Sequence, residues 1–418
     1  MTAHGRILEN HMLVVRDGRI IDLLPEKFGA ERYAAGLTIE RPSHVVMPGM
    51  VNAHTHAAAT LLRLWPNPST ALGPDVDISP PQRRYMGPEF VEDGVKIAVA
   101  EMLKSGITCF GDQYFYPDEV GRVAAQQGMR ALIGMPVADF ESPWAKTPSE
   151  YLRRALDVRD EYKGHPLIST AFAPLGVNSL SDDTLRRIAT LAAELDAGVM
   201  MHLHASAAEI DVSMSRYLRR PIERLQGLGL LTPALNAVHM VELLASDIDL
   251  ATQSGLAITL CPDTHLQSDV GLTGVSALLA AGLRLSLGTG NPCRNSLDLW
   301  PGVRLLASMK SAGSAMDAWQ ALAIATHGAA GALGLDSEIG TFEIGKWADL
   351  CCLDLDGPAT QPLGDPLYQL VRGGGRDLVS DVWVAGRHLL SEGQFTQLDW
   401  PQVRAKAQTW ATRLNQLE

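Results

Sequence analysis

The sequence predicts an α/β protein: a (β/α)8 barrel with a smaller β domain assembled from the two ends of the chain. Eight strand-like segments alternate with helical stretches over about 290 residues, which matches this barrel in both strand count and size. Short strands and turns occur before and after that region. A doubly wound open sheet is the alternative, but no GxGxxG motif follows the first strand of the alternating region.

The two ends of the chain share a pattern of short strands. HMLVVRDGRIIDLLP, from His11, predicts a strand, an Asp-Gly turn and a second strand. ADLCCLDLD, from Ala348, and VSDVWVAGRHLLSEG, from Val379, continue the pattern late in the chain. We therefore predict a composite β domain from residues 1–48 and 341–398, a barrel from residues 49–340, and a C-terminal helix over residues 399–418.

The eight barrel strands are predicted from apolar runs bounded by turn residues. One helix between them shows apolar residues at Val95, Ala98, Val99 and Met102, the spacing of a helix face, and Gly106 ends it. Barrel chemistry lies where strands end, so the residues that close each strand are the candidate site. The predicted strands are Val51–His56, Ile107–Asp112, Ala131–Pro136, Leu167–Ala173, Val199–His204, Ala234–Met240, Ala257–Cys261 and Arg284–Thr289.

Composition excludes several classes of protein. Of the 418 residues, 46% are hydrophobic and 20% charged, which supports a large core and excludes wholesale disorder. No apolar run approaches the ~18–20 residues of a membrane span, and charges interrupt the N-terminal segment, unlike a secretory signal. The net charge of -12 argues against nucleic acid as a partner. Five cysteines without CxxC spacing indicate reduced thiols and a cytoplasmic protein.

Histidines are concentrated at three predicted strand ends. The first strand ends in His54-Thr55-His56, the fifth in His202-Leu203-His204, and the sixth reaches His239. Alternate residues of a strand share one face, so both imidazoles of an HxH motif should point into the barrel mouth. A single HxH motif is common by chance, but several imidazoles meeting in one barrel mouth predict a shared metal ion.

The same segments resemble a known family. MPGMVNAHTHAAATLLR, FVEDGVKIAVAEMLKSGITCF, LISTAFAP, the HLH and AVHM strands, LGTG and IGTFEIGKWADLCCLD are similar to the amidohydrolase superfamily. The branch is that of methylthioadenosine/S-adenosylhomocysteine deaminases and triazine chlorohydrolases. The resemblance covers almost the whole chain. It implies a distorted (β/α)8 barrel with a small composite β sandwich.

The resemblance also implies roles for individual residues. His54, His56 and His202 match the metal ligands, and His239 matches a residue that contacts the substrate or the water that the metal activates. The implied cofactor is a divalent metal, zinc first, with iron or manganese as alternatives. The implied partner is a small heteroaromatic or amide-like molecule, with a homodimer as a further expectation.

Two carboxylates of the family pattern are missing. The family's Glu three residues after the fifth-strand ligand is replaced by Ala205. The Asp that ends the eighth strand is replaced by Gly290, or deleted if the alignment has a gap there. Glu209, one helical turn further on, is expected to face a helix or solvent. The Pro-rich loop from Leu64 to Arg84 also differs from the family's lid.

Other pocket positions also depart from the family. Leu175 stands where the family has a substrate-facing His, and we predict that Leu175, His204 and Asp263 contact the substrate. Among the possible replacements for the missing groups, His265 offers a fourth ligand or a base, against a surface or supporting role. Glu242 offers a proton shuttle, against a solvent-facing carboxylate, and Asp263 has a structural alternative.

Two functions follow from this pattern. The first is a metal-dependent hydrolase of altered substrate or mechanism, with His239, His265 and Glu242 as catalytic groups. The second is an inactive or repurposed homologue that binds a small molecule or regulates a partner. We favour the enzyme, because a site without chemistry has no physical need for four imidazoles.

Overall fold

The structure is a computed structural model that describes residues 6–64, 84–266, 274–293, 295–311 and 314–417. The Pro-rich loop predicted between Leu64 and Arg84 lies outside these residues, except for its two ends.

Eight parallel strands form the barrel, and all eight match the predicted segments with ends that differ by at most two residues. They pair in chain order, each with the next, and a bridge between Thr55 and Gly290 brings the last strand's end beside the first. Three strands precede the barrel in the chain, two that pair with each other and one that belongs to a five-stranded antiparallel sheet, so the barrel strands are numbered from β4. They are β4 (Met50–Thr55), β5 (Ile107–Gln113), β6 (Arg130–Val137), β7 (Ile168–Pro174), β8 (Gly198–Leu203), β9 (Leu235–His239), β10 (Ala257–Leu260) and β11 (Arg284–Leu287).

Helices connect the barrel strands and bury apolar faces against them. In α2 the predicted face is buried, with Val95, Ala98, Val99 and Met102 inaccessible to solvent, and Gly106 follows with a φ of 80°. The α-helices are α1 (Gly29–Arg32), α2 (Pro88–Lys104), α3 (Pro117–Gln126), α4 (Pro148–Glu161), α5 (Asp182–Glu194), α6 (Ala207–Tyr217), α7 (Pro221–Gly227), α8 (Ala245–Ser254), α9 (Pro262–Leu266), α10 (Val275–Ala280), α11 (Trp300–Leu306), α12 (Ala318–Ala323), α13 (Ala329–Ala332), α14 (Pro366–Arg372) and α15 (Trp400–Leu414).

Antiparallel sheets from both ends of the chain lie beside the barrel, as predicted. A two-stranded sheet pairs β1 (His11–Arg16) with β2 (Arg19–Pro25). A five-stranded sheet has the order β17, β16, β15, β14, β3, so that an early strand pairs with a late one. Ile20 of the hairpin packs with Phe342, Ala348 and Leu350 in a shared apolar cluster. The remaining strands are β3 (His44–Pro48), β12 (Lys310–Ser311), β13 (Ser314–Ala315), β14 (Leu350–Asp354), β15 (Val379–Val384), β16 (Arg387–Ser391) and β17 (Gln394–Phe395).

Buried polar contacts fix the outer elements to the barrel. Arg130 of β6 forms a two-point ion pair with Asp349, at 2.7 and 3.0 Å, next to the five-stranded sheet. The indole Nε1 of Trp410 on α15 donates to Asp93 of α2 at 2.8 Å. Within the described part of the chain, no helix combines the length and apolar character needed to cross a lipid bilayer.

Candidate metal centre

Three histidines from two barrel strands meet at the carboxyl end of the barrel. One ring nitrogen from each of His54, His56 and His202 lies within 4.8 Å of the other two. The Nε2 atoms of His54 and His202 are 3.0 Å apart. Ligands around a tetrahedral zinc ion with bonds of about 2.0–2.1 Å are separated by about 3.3 Å, so this spacing fits convergence on one cation. The three predicted metal ligands are therefore brought together.

The first HxH motif is held in place by the end of the neighbouring strand β5. The Nδ1 of His56 donates to the carbonyl oxygen of Gln113 at 2.6 Å, which leaves Nε2 with its lone pair. Metal-bound histidines characteristically donate their second nitrogen in this way. One oxygen of Asp112 accepts the backbone N–H of Ala57 at 2.6 Å and fixes the turn after His56.

The cluster is in the protonation state that a metal requires. Burial, reinforced by the nearby His56, lowers the pKa of His202 to about 3. Burial and the neighbouring imidazoles also hold the pKa of His54 well below its ordinary value, and burial lowers the pKa of His56 against its bond to Gln113. Neutral imidazoles carry the lone pairs that bind a cation. His54 Nδ1 is buried and has no hydrogen-bond partner among the described residues.

His239 and His265 extend the group on one side. The ring of His239 lies 4.8 Å, centroid to centroid, from that of His202. Its Nδ1 is 2.9 Å from Nε2 of His265, and both residues are buried. Burial and the neighbouring histidines hold the pKa of His239 well below its ordinary value, and burial lowers that of His265 to about 4.

His204, predicted to share a face with His202, lies outside the cluster. It follows the last residue of β8 and has a φ of 52°, so the alternation of a strand no longer applies to it. Its Nδ1 donates to the carbonyl oxygen of Glu242 at 2.9 Å, and its Nε2 accepts from the N–H of Ile222 at 3.1 Å. Both nitrogens bind backbone, so His204 does not join His202 in the cluster, and its predicted contact with the substrate stays a prediction.

Glu209 is also placed differently from the expectation of a helix-facing or solvent-facing side chain. It is buried, and its two oxygens accept the N–H groups of His204, at 3.0 Å, and Ala205, at 2.8 Å. Burial raises its pKa to about 7, although these hydrogen bonds oppose the shift. The missed signal is the Ser206-Ala-Ala-Glu209 spacing, which is typical of a hydrogen-bonded helix start. Ser206 does cap α6 by accepting from the N–H of Glu209.

The two positions of the missing carboxylates have well-defined surroundings. Ala205 is buried, and its N–H is taken by Glu209. Gly290 has a φ of 64°, and its N–H donates to the carbonyl oxygen of His54 at 3.1 Å. A Cβ at position 290 would come within 2.8 Å of Thr264 Oγ1, so a side chain there requires a shift of its surroundings.

The remaining predicted site residues lie in the segments that follow barrel strands. Leu175 is buried directly after β7. Glu242 is half-buried, and its carbonyl oxygen accepts from His204. Asp263 is half-buried in α9, and burial raises its pKa. The roles of these three side chains stay predictions.

Residues at the end of β5 were not predicted as part of the site. Asp112 and Gln113 hold the segment around His56 through one carboxylate oxygen and one carbonyl oxygen. Burial raises the pKa of Asp112 to about 7, against its bond to Ala57. The available signal is the position of this Asp at the carboxyl end of the strand next to the HxH strand.

Comparison with known proteins agrees with this geometry. Residues 45–389 match the amidohydrolase family. The chain is 37% identical to a 5-methylthioadenosine/S-adenosylhomocysteine deaminase of Teredinibacter turnerae, over 98% of this chain and 94% of that protein. A second such deaminase, of Saccharophagus degradans, is 35% identical over 98% of this chain and 93% of its own length.

Solved structures show the same similarity. An adenosine deaminase from Xanthomonas campestris with bound zinc superposes with a TM-score of 0.93 at 38% identity, covering 99% of this chain and 95% of that one. The fold of an atrazine chlorohydrolase from Arthrobacter aurescens complexed with zinc is also similar, with a TM-score of 0.89 at 22% identity over 98% and 96% of the two chains. With its barrel, its histidine cluster and these relatives, the chain belongs to the amidohydrolase family.

Proposed function

We propose that the protein is a metal-dependent hydrolase that acts on a heteroaromatic or amide-like small molecule. The observation that carries the proposal is the convergence of three neutral imidazoles, those of the buried His54 and of the half-buried His56 and His202. We assign these three residues as metal ligands, with zinc as the first candidate and iron or manganese as alternatives. The zinc in the Xanthomonas campestris relative supports this choice of metal.

A divalent cation in this cluster would lower the pKa of a water molecule and polarise a C=O or C=N bond of the substrate. The chain's own residues orient the site. Gln113 fixes the tautomer of His56, and Asp112 fixes the turn that follows it. We assign His239, whose ring lies beside that of His202, as a residue that contacts the substrate. Leu175, buried after β7, adds an apolar surface in the position where the family resemblance implies a polar one.

We further propose that deamination of adenosine-type substrates is strongly reduced. The resemblance puts a proton-transferring Glu at position 205 and an Asp at position 290, where this chain has Ala and Gly. Each general acid or base typically contributes roughly 10²–10⁴-fold to rate, so losing two leaves little of this reaction. Glu209 does not replace the missing Glu, because both of its oxygens accept backbone N–H groups.

Proton transfer in the proposed reaction falls to groups in the segments after β9 and β10. We assign Glu242 and Asp263 as candidates, since both are half-buried carboxylates at the edge of the barrel that holds the histidines. Glu242→Gln and Asp263→Asn test this assignment by activity, because each change removes the carboxylate with little change in size.

The second candidate function is a binding or regulatory homologue without catalysis. The absence of carboxylate side chains at positions 205 and 290 favours it. The two functions differ in whether the site needs a metal.

Metal analysis of the protein, purified without added metal, tests the proposal. We expect close to one zinc, iron or manganese ion per chain, and its loss in the double variant His54→Ala/His56→Ala. The matched control is His11→Ala/His327→Ala, which removes two exposed histidines and should leave the metal content unchanged. A metal-free wild-type protein that also fails to bind added zinc would contradict the metal-dependent function and favour the binding homologue.

Substrate assays test the second part of the proposal. We expect no measurable deamination of methylthioadenosine, S-adenosylhomocysteine or adenosine by the metal-loaded protein, and hydrolysis of at least one member of a panel of other heteroaromatic or amide-like compounds. Ready deamination of the three nucleosides would overturn the role given to positions 205 and 290.

A further inference from the structure

The histidine cluster continues beyond the three proposed ligands into a buried pair, and the family resemblance assigns a role to His239 of that pair but none to His265. His239 at the end of β9 and His265 in α9 approach each other through Nδ1 and Nε2, at 2.9 Å. Their exposed fractions are 3% and 0%, so water does not compete for this contact. His265 stands in the CPDTH segment, which departs from the family's CPESN at this position.

A contact of this kind fixes a tautomer. Between two neutral imidazoles one nitrogen carries the hydrogen and the other accepts it, so each ring is limited to one assignment of its own proton. The unused nitrogen of His239, Nε2, is then either a donor or an acceptor. Which one it is depends on whether His265 donates to Nδ1 or accepts from it.

The geometry favours donation by His265. The centroid of the His239 ring is 4.8 Å from that of the His202 ring. His239 nevertheless does not belong to the group of His54, His56 and His202, whose ligand atoms all lie within 4.8 Å of one another. It therefore stands beside the proposed metal position instead of completing it. At such a place an N–H group on Nε2 can bind an oxygen or nitrogen atom of a substrate, and Nε2 carries that hydrogen only when Nδ1 accepts from His265.

We propose that His265 is a positioning residue that donates its Nε2–H to Nδ1 of His239 and thereby makes His239 Nε2 a hydrogen-bond donor towards the substrate. A neutral imidazole used as an electrophile, with its tautomer set by the protein, is an established way to polarise a carbonyl group. The inference rests on the proposed function for the identity of the substrate, but the tautomer itself does not depend on it.

Nitrogen NMR of the full-length protein labelled with [15N]histidine tests the tautomer directly, with the His239 signals assigned by their loss in His239→Gln. In the wild-type protein we expect His239 Nε2 to be protonated and Nδ1 not. In His265→Phe, which keeps a planar ring without nitrogen, we expect this single tautomer to be lost. In His265→Gln, whose amide nitrogen lies as far along the side chain as Nε2, we expect it to return.

The control is His11→Phe, the same change at an exposed histidine, which should leave the His239 signals unchanged. A wild-type His239 protonated at Nδ1, or an Nε2-protonated His239 that persists in His265→Phe, would overturn the proposal. Because the wild-type spectrum alone decides the tautomer, misfolding of a variant does not remove the test.

A second readout separates this proposal from the proposed function. Zinc affinity should change less than about tenfold in His265→Phe, because His239 is not proposed as a ligand. Residues that support a metal ligand typically contribute 10–100-fold to affinity, so a loss of that size would mean that His239 binds the metal. With any substrate found by the assay panel, kcat should fall by about 10–100-fold in His265→Phe and recover in His265→Gln. If the protein binds no metal but shows the expected tautomer of His239, the proposed hydrolase function would be contradicted, whereas the hydrogen bond proposed between His265 and His239 would stand.

Discussion

The two HxH motifs are alike in sequence and different in structure. His54-Thr55-His56 sends both rings into the cluster, whereas His202-Leu203-His204 sends only the first. Each motif ends at a turn held by a buried carboxylate, Asp112 at Ala57 and Glu209 at Ala205. The difference lies in the backbone: His204 has a left-handed conformation, which turns its ring to the N–H of Ile222. An HxH motif at a strand end therefore predicts one metal ligand more securely than two.

The largest expected effect separates the two histidines of the second motif. His202→Ala should weaken zinc affinity by roughly 1,000-fold, beyond the 10–100-fold cost of changing a supporting residue, because it removes a proposed ligand. His204→Ala should leave affinity within about tenfold of wild type, since both of its nitrogens bind backbone. Zinc titration with a competing chelator measures both values. Equal losses in the two variants would contradict the distinction drawn between these histidines.

Glu209 gives the second motif a pH dependence. Burial raises its pKa to about 7 from an ordinary value of 4.5, so the folded state holds its proton more tightly than the unfolded state. The contribution of Glu209 to the free energy of unfolding is therefore fully present below pH 4.5 and falls as the pH rises to 7. At about 1.4 kcal/mol per pKa unit, this decline amounts to up to about 3 kcal/mol. The free energy of unfolding of Glu209→Gln should lack this decline, as measured by urea denaturation across that range.

The exposed Glu161 provides a control for this experiment. Glu161→Gln should follow the wild-type pH dependence. If Glu209→Gln and the wild-type protein decline in parallel between pH 4.5 and 7, Glu209 is ionised in the folded state throughout and the expected direction is wrong.

A smaller effect concerns stability in the metal-free protein. His204→Ala leaves the buried N–H of Ile222 without a partner, whereas the carbonyl oxygen of Glu242 keeps its bond from Arg220. We expect a loss of about 2 kcal/mol in the free energy of unfolding. His202→Ala should cost less, about 1 kcal/mol, because its Nε2 faces only another imidazole. Urea denaturation of both chelator-treated variants makes the comparison, and the reverse order would show that His204 is not a structural residue.

The smallest expected effect lies in the first motif. Asp112→Ala removes the acceptor of the Ala57 N–H while all three proposed ligands stay in place. We expect zinc affinity to fall by about tenfold, the low end for residues that support ligands. Asp139→Ala, at a carboxylate that binds Ser181 and Thr184 away from the cluster, is the matched control. An unchanged affinity in Asp112→Ala would show that the hydrogen bond from His56 Nδ1 to the carbonyl oxygen of Gln113 is sufficient to hold His56 in position.

Much of the fold was predicted from the sequence. Runs of apolar residues bounded by turn residues predicted all eight barrel strands, because a strand that is covered on both faces in a barrel is mostly apolar. The pairing of early and late strands in one antiparallel sheet was also predicted, from short strands and turn residues at both ends. These features depend on local patterns, which a sequence records directly.

The candidate site was predicted in part. His54, His56 and His202 were identified by their positions at strand ends, and the structure brings them together. The support given by Asp112 and Gln113 was missed, because it depends on how the end of β5 lies beside the segment after β4. The burial of Glu209 was missed although its spacing from Ser206 was visible.

The sequence by itself determined which residues close each barrel strand, and hence that imidazoles gather at one end while Ala205 and Gly290 bring no carboxylate. Only the tertiary structure decided which way the rings face. The reason is physical: strand alternation ends with the strand, and beyond it each ring turns to whichever partner the neighbouring segments offer. For His56 that partner is Gln113, for His204 it is Ile222 and Glu242, and for His239 it is His265.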